Sequence, residues 1–151
     1  MLFNVLAVLL LCSGCGNAES GLKNRAAEYY NYMVGQAPRT PYTSFLSPAY
    51  RKTFSKQVLE KLNTQRGSKP EVNKRYKPAE ARHIAVVIDG RFAYSNIGAD
   101  LGQSFASVGP VRWVRVGSSW YLYAFSTAEK KAYGDFPNSL SPPAPPAVAP
   151  K

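Results

Sequence analysis

Cysteine and histidine are scarce in this sequence. Its 151 residues include two cysteines, Cys12 and Cys15, and one histidine, His83. Both cysteines lie near the N-terminus, and no further cysteines could complete a zinc site. The sequence therefore predicts neither a metal nor a cofactor.

Acidic residues are also few. Nine Asp and Glu residues stand against 19 Lys and Arg residues, which gives a formal net charge of +10. Such a charge implies anionic partners or surfaces and says nothing about the fold. Seven of the ten net charges lie in residues 51–82, where we place a candidate basic surface of Lys69, Lys74, Arg75 and Lys77. A solvated helix face and loop is the alternative interpretation.

Nucleic acid is not expected among the partners. Proteins that bind single strands combine basic grooves with exposed aromatic side chains on which the bases stack. Tyr76 is the only aromatic residue in the most polar part of the basic stretch, residues 63–82. The basic surface is therefore better suited to anionic headgroups or polymers.

The apolar run at the N-terminus is too short to cross a bilayer. Residues 2–11 are interrupted only by Asn4, and a spanning helix needs about 20 apolar residues. The hydrophobic region of a secretory signal fits this run better. The sequence Cys12-Ser13-Gly14-Cys15-Gly16 follows directly, and it resembles the lipobox of bacterial lipoproteins.

This resemblance implies a cellular location for the protein. Residues 1–14 would be a signal peptide, Cys15 the lipidated first residue of the mature chain, and residues 15–20 a polar tether. The protein would be exported and held by its lipid on a bacterial membrane, the outer membrane facing the periplasm. The alternative is a redox or metal-binding Cys-x-x-Cys motif, but a thioredoxin-type motif belongs to a βαβ pattern, and here the cysteines end a signal-like run.

Two helices are predicted before residue 67. Ser20 can cap a first helix that runs to about Gly35, because apolar residues recur in it at helical spacing. Ser47 and Pro48 fit the N-cap and first position of a second helix, for which Gly67 is a natural end. The apolar positions of the second helix are Tyr50, Phe54, Val58, Leu59 and Leu62.

Two β-hairpins are predicted after the basic stretch. Asp89-Gly90 joins the strands of the first, and turn chemistry explains Asp89 without a catalytic role. The strand before it, residues 83–88, is apolar on both faces and is predicted to be central in the sheet. In the second hairpin a two-residue turn at Gly117-Ser118 pairs Trp113 with Leu122, whereas a three-residue loop would change the faces.

The predicted fold class is α+β, with two N-terminal helices packed on a curved antiparallel sheet of about four strands. The domain is expected to span residues 21–133, with a short helical turn at residues 127–133. Residues 134–151 are rich in proline and alanine, and we expect a disordered tail there. A spacer or a partner-binding motif is the alternative.

Residues 21–125 resemble the nuclear-transport-factor-2-like (cystatin-like) fold. The resemblance rests on the helix pair, on the helix start Ser47-Pro48-Ala49-Tyr50-Arg51, and on residues 112–121, Arg-Trp-Val-Arg-Val-Gly-Ser-Ser-Trp-Tyr. It implies a curved sheet whose concave side encloses a pocket with the helices. The candidate pocket residues are Tyr29, Tyr30, Met33, Phe54, Trp113, Trp120 and Leu122.

No catalytic residues are assigned from the sequence. It shows no paired carboxylates, no nucleophile with its base and no cluster of metal ligands; His83, at the start of a strand, is in a position where histidine is usually structural. We expect a non-catalytic, lipid-anchored cell-envelope protein that acts as an interaction module through its basic surface. Its partners would be the membrane, through the lipid, and an anionic envelope polymer or another envelope protein. The alternatives are a small-molecule-binding pocket of the same fold and, further off, an isomerase or dehydratase.

Overall fold

A four-stranded antiparallel sheet with the strand order β1-β2-β3-β4 forms the centre of the fold. The structure is a computed structural model that describes residues 13–37, 39–66, 77–98 and 109–146. The predicted α+β class and the four antiparallel strands are confirmed. The elements are α1 (Ser13–Met33), α2 (Pro48–Arg51), α3 (Lys56–Arg66), β1 (Ile84–Asp89), β2 (Phe92–Ile97), β3 (Val111–Val116), β4 (Ser119–Leu122) and α4 (Thr127–Tyr133).

Both hairpins turn through a glycine with positive φ. In the second hairpin Val116 pairs with Ser119, so Gly117-Ser118 is the predicted two-residue turn, and Trp113 pairs with Leu122 as expected. In the first hairpin Asp89 pairs with Phe92. The turn is therefore Gly90-Arg91, one residue later than predicted, because Gly90 takes the first turn position with φ +57°.

Strand β1 lies at an edge of the sheet, and the predicted central position is wrong. Its apolar character on both faces has a different cause. Ile84, Val86 and Ile88 pack into the core that α1 covers, whereas Val87 packs into a second apolar cluster on the opposite face. Because both faces of the sheet are covered, even an edge strand is apolar on both sides.

Helix α1 begins at Ser13, earlier than the predicted N-cap at Ser20, and it includes residues 15–20 of the expected tether. Contacts with the sheet support these first turns: the Trp120 indole donates a hydrogen bond of 3.0 Å to the Ala18 carbonyl, and Ala18 packs against the core. These tertiary contacts therefore favour the longer helix.

The predicted second helix is interrupted. Ser47 caps α2 as expected by accepting a hydrogen bond from the Tyr50 amide. Residues 52–55 then leave the helix, and a new helix, α3, starts at Lys56. The Thr53 hydroxyl donates to the Tyr50 carbonyl at 2.7 Å, and the Ser55 hydroxyl accepts from the Val58 amide at 3.4 Å. Short hydroxyl side chains here satisfy the backbone locally, which competes with a continuous helix.

The beginning of the C-terminal tail packs on the sheet, so the expected disorder is wrong for residues 134–146. Phe136 is 8% exposed and lies in a cluster with Phe92, Tyr94 and Tyr123 on the face opposite α1. Further along, the Asn96 side chain donates a hydrogen bond of 3.1 Å to the Pro143 carbonyl. The prolines keep this segment extended without secondary structure, while its few apolar side chains cover the sheet.

Candidate functional site

The predicted pocket between α1 and the sheet is filled by its own side chains. Trp113 is fully buried, and its indole donates a hydrogen bond of 2.8 Å to the Ser95 hydroxyl. The Tyr29 ring packs edge-on against Trp113 and Phe45, with ring centroids 5.8 and 5.2 Å apart. Beside Tyr29 and Tyr30 there is a space of about 10 Å³, which is room for about one water molecule.

The structure brings together five of the seven predicted pocket residues. They form or border the core beneath α1: Tyr29, Tyr30, Trp113, Trp120 and Leu122. Met33 instead lies at the end of α1 with 37% of its surface exposed. Phe54 lies between α2 and α3, where its ring contacts Tyr50 with centroids 4.9 Å apart.

An open cleft of about 460 Å³ lies at the outer edge of β4, and the sequence did not predict it. Its walls come from three elements: Gly21 and Arg25 of α1, Arg51 of α2, and residues 118–121 of the second hairpin. Ser44 also borders it. The fold thus places two arginines and several serine hydroxyls around one opening.

Arg25 is held tightly in the wall of this cleft. Its guanidinium lies 4.2 Å from the centre of the Phe45 ring and donates a hydrogen bond of 2.6 Å to the Ser44 carbonyl. The same group forms an ion pair with Glu28. The charge of Arg25 is therefore compensated within the protein, and its position is fixed by three contacts.

Arg51 has no such compensation. Its guanidinium carbon lies 5.8 Å from the centre of the Tyr121 ring. Within the described residues it forms no ion pair with a carboxylate. The side chain is half-buried, so that solvent screens its charge less than that of a fully exposed arginine.

The edge of β4 supplies a backbone donor to the same region. In an antiparallel ladder, successive residues direct their amides alternately toward and away from the neighbouring strand. The Leu122 amide points away from β3 and donates to the Phe45 carbonyl at 2.8 Å. Trp120, two residues earlier, therefore also directs its amide to the outer edge, and no acceptor for it is found within the described ranges.

The predicted basic surface is covered only in part by the described residues. Lys69, Lys74 and Arg75 lie outside them, and Lys77 is exposed. Nearby, Lys56 and Arg82 form surface ion pairs with Glu60 and Glu80 at 3.9 and 3.0 Å. Such exposed pairs contribute little to stability.

A second arginine site lies on the opposite face of the sheet. The Arg112 guanidinium is 4.8 Å from the centre of the Phe125 ring, and its Nε donates to the Tyr94 hydroxyl at 2.7 Å. Phe125 is 42% exposed and has a φ of +57°, which is unusual for a residue with a side chain. Sequence analysis missed this group, because Phe136 of the tail completes it.

An acid–base reaction could use His83 or Asp100. The His83 ring accepts a hydrogen bond of 3.0 Å from the Glu80 amide, which is a structural contact that caps the short 3₁₀ helix Ala81–His83 just before β1. Asp100 lies outside the described residues. Within those residues, no three His, Cys, Asp or Glu side chains are grouped as metal ligands would be.

Cys15, the predicted lipidation site, lies in α1. None of the helices in the described part of the chain combines the length and the apolar character that crossing a membrane requires.

Comparison of the chain with family models, with curated proteins and with solved structures found no match. The cleft, the basic side chains and the N-terminal motif are therefore the features from which a function can be argued.

Proposed function

We propose that the protein is a non-catalytic, lipid-anchored protein of the bacterial cell envelope that binds an anionic partner through its basic surface. One observation supports this most: several basic side chains of the stretch 51–82 are exposed and have no acidic partner in the described residues. They are Lys52, Lys61 and Lys77. The anchor is proposed from the lipobox-like motif that ends at Cys15.

The charges are suited to a surface more than to a single ligand. Each basic residue close to an anionic surface contributes about 1 kcal/mol to binding, and salt screens this attraction within about 10 Å. A tether on the outer membrane would keep the domain near anionic envelope polymers and near other envelope proteins. The proposed partner is therefore a polymer or protein of the envelope with a high density of negative charge.

A small-molecule pocket beneath α1 is less well supported. The nuclear-transport-factor-2-like resemblance implies a cavity between the helices and a curved sheet, and an isomerase or dehydratase would need one. The space beside Tyr29 and Tyr30 is about 10 Å³, whereas ligand pockets usually measure about 300–1,000 Å³. Trp113 and Trp120 occupy the volume that a ligand would need.

Two charge-reversal variants test the basic surface. Lys61→Glu with Lys77→Glu changes the net charge as much as Lys130→Glu with Lys131→Glu, which lie on α4. Cosedimentation with vesicles of phosphatidylglycerol and with purified envelope polymer is the measurement. We expect the first variant to weaken binding by about 30-fold or more, from the loss of two favourable charges, and the α4 variant to weaken it far less.

Equal weakening of binding by both variants would mean that only net charge matters and would contradict a defined basic surface.

The lipid anchor needs its own test, which is native mass spectrometry of the protein extracted gently from bacterial membranes. A lipid mass on Cys15 together with a bound envelope component is the expected result. A chain with its N-terminus intact and no lipid would overturn the proposed location.

A further inference from the structure

We propose that the cleft at the outer edge of β4 binds the phosphate group of a phosphorylated ligand, with Arg51 as the main charged contact. The inference rests on the proposed function, because it names the anionic group that the protein would recognise. It goes further in assigning a defined site, since a basic surface alone attracts any negative charge.

The burial of the arginines is the observation that carries this inference. Among the arginines whose burial the structure describes, Arg25 and Arg51 are half-buried and the others are exposed. Both half-buried arginines line the cleft. Arg25 has Glu28 as its counter-ion, whereas Arg51 has no carboxylate partner in the described ranges. Removing a charge from water costs free energy that an opposite charge offsets, and an anion in the cleft would supply that charge.

Other donors surround the same opening. Ser118 of the hairpin turn and Ser119 of β4 line it, and the Trp120 amide faces the outer edge of β4. A guanidinium, hydroxyls and a backbone amide are the groups that bind phosphate oxygens in proteins. They reach the cleft from α2, from the turn and from the strand edge, so they suit a tetrahedral anion, which has acceptors on every side, better than a planar carboxylate.

The size of the cleft indicates that the phosphate belongs to a larger molecule. Its volume of about 460 Å³ lies within the range of small-molecule sites. Tyr121 and the compensated Arg25 also line the cleft, and both can contact hydroxyl groups. The ligand class is therefore a phosphorylated sugar, either free, as a unit of a polymer, or as a lipid headgroup.

Isothermal titration calorimetry on the full chain at low salt tests the site with three probes: glucose 6-phosphate, inorganic phosphate and glucose. We expect glucose 6-phosphate to bind with a Kd of about 1 mM or below, inorganic phosphate more weakly, and glucose without measurable heat. Arg51→Gln should weaken glucose 6-phosphate binding by about tenfold or more, since the charge-assisted bond is lost. Lys131→Gln removes the same charge at an exposed position of α4, outside the cleft, and should change the Kd less than about twofold.

A second variant covers the case that Arg51→Gln disturbs α2. Ser119→Asp places a negative charge in the cleft at an exposed position and should abolish phosphate binding, whereas Ser139→Asp, which is also exposed, should not. No heat with either phosphate probe, or equal weakening by Arg51→Gln and Lys131→Gln, would overturn the site.

Vesicle binding separates this inference from the proposed function and identifies the source of the phosphate. If glucose 6-phosphate displaces the protein from phosphatidylglycerol vesicles, the cleft binds the lipid headgroup. If glucose 6-phosphate binds to the protein but leaves the protein on the vesicles, the ligand is a soluble or polymeric phosphosugar. Vesicle binding that persists in Arg51→Gln, with no phosphosugar binding by the wild type, would overturn the cleft and keep the proposed function. If the protein binds the phosphosugar through Arg51 but binds neither vesicles nor polymer, the cleft site is kept and the proposed function is overturned.

Discussion

The Ser47 hydroxyl donates a hydrogen bond of 2.6 Å to the Glu129 carboxylate across 82 residues of sequence. Both residues are fully buried. The second carboxylate oxygen accepts from the Ala124 amide at 3.0 Å and from the amide and hydroxyl of Ser126 at 3.2 and 2.9 Å. Because Ser47 caps α2 and Ser126 caps α4, one buried carboxylate joins the starts of both helices.

Replacing Glu129 should therefore be costly even when the shape is conserved. Glu129→Gln puts a donor where a carboxylate oxygen accepts hydrogen bonds, and we expect the free energy of unfolding to fall by about 2–4 kcal/mol. Ser47→Ala, which removes a cap and a buried hydroxyl, should lower it by about 1–3 kcal/mol. Urea denaturation measures both. Ser139→Ala, at an exposed position, is the control and should stay within about 0.5 kcal/mol of the wild type; a similarly small change for Glu129→Gln would contradict this account.

The left-handed backbone at Phe125 predicts an unusual order of stability for two variants. Phe125→Gly and Phe125→Ala both remove the ring, and the methyl group of alanine disfavours a φ of +57° that glycine adopts freely. The glycine variant should be more stable by about 1 kcal/mol. The same pair of substitutions at Lys131, inside α4, should give the opposite order. An alanine variant at position 125 that is as stable as the glycine variant would show that this backbone conformation is not kept.

Tyr123 should make stability depend on pH in the alkaline range. Burial raises the pKa of Tyr123 above its ordinary value of 10.0, and the negative charges of Glu129 and Asp135 raise it further. Its hydroxyl donates to the Gly134 carbonyl at 2.7 Å. The folded state thus favours the protonated form, so this contribution is fully present below about pH 10 and is lost as the pH rises through the pKa of the folded protein.

Tyr123→Phe isolates this effect, because phenylalanine does not ionise. Near pH 8 the wild type should be more stable than the variant by about 1 kcal/mol, from the hydrogen bond to Gly134. The difference should shrink when both proteins are denatured with urea above about pH 10. A difference that is constant or grows with pH would contradict the assignment.

Phe136 should contribute as much to the free energy of unfolding as a residue of the central core, although it lies in the proline-rich tail. Its ring packs against Phe92, Tyr94 and Tyr123 with centroids 5.0–5.7 Å apart. Phe136→Ala should lower the free energy of unfolding by about 3 kcal/mol or more, whereas Pro142→Ala, at an exposed tail position, should have little effect. A loss below about 0.5 kcal/mol for Phe136→Ala would mean that the tail does not stay on the sheet.

The candidate site shows where sequence reasoning reaches its limit. Helical spacing and strand alternation correctly brought Tyr29, Tyr30, Trp113 and Trp120 to one interface. Neither pattern measures volume, so neither could tell a cavity from a filled core. The cleft beside Arg51 depends on how α1, α2 and the second hairpin are arranged around the outer edge of β4. A local sequence pattern does not predict the relative positions of these elements.

By itself, the sequence determined the features that depend on a few neighbouring residues. Gly117 at a two-residue turn fixes the pairing of Trp113 with Leu122, and Asp89-Gly90 locates the first hairpin to within one residue. Ser47 with Pro48 fixes the start of α2. These signals act locally because they arise from backbone sterics and from caps within one helical turn.

Only the tertiary structure decided which surfaces are covered. The edge position of β1, the early start of α1 and the packed tail all depend on contacts between distant parts of the chain, such as Trp120 with Ala18 and Asn96 with Pro143. An apolar side chain or an unpaired amide can contact any partner that the fold brings close. Burial lowers the free energy by removing apolar surface from water, and this gain does not depend on how near the two residues are in sequence. For the same reason, the cleft at Arg51 exists only in the folded chain.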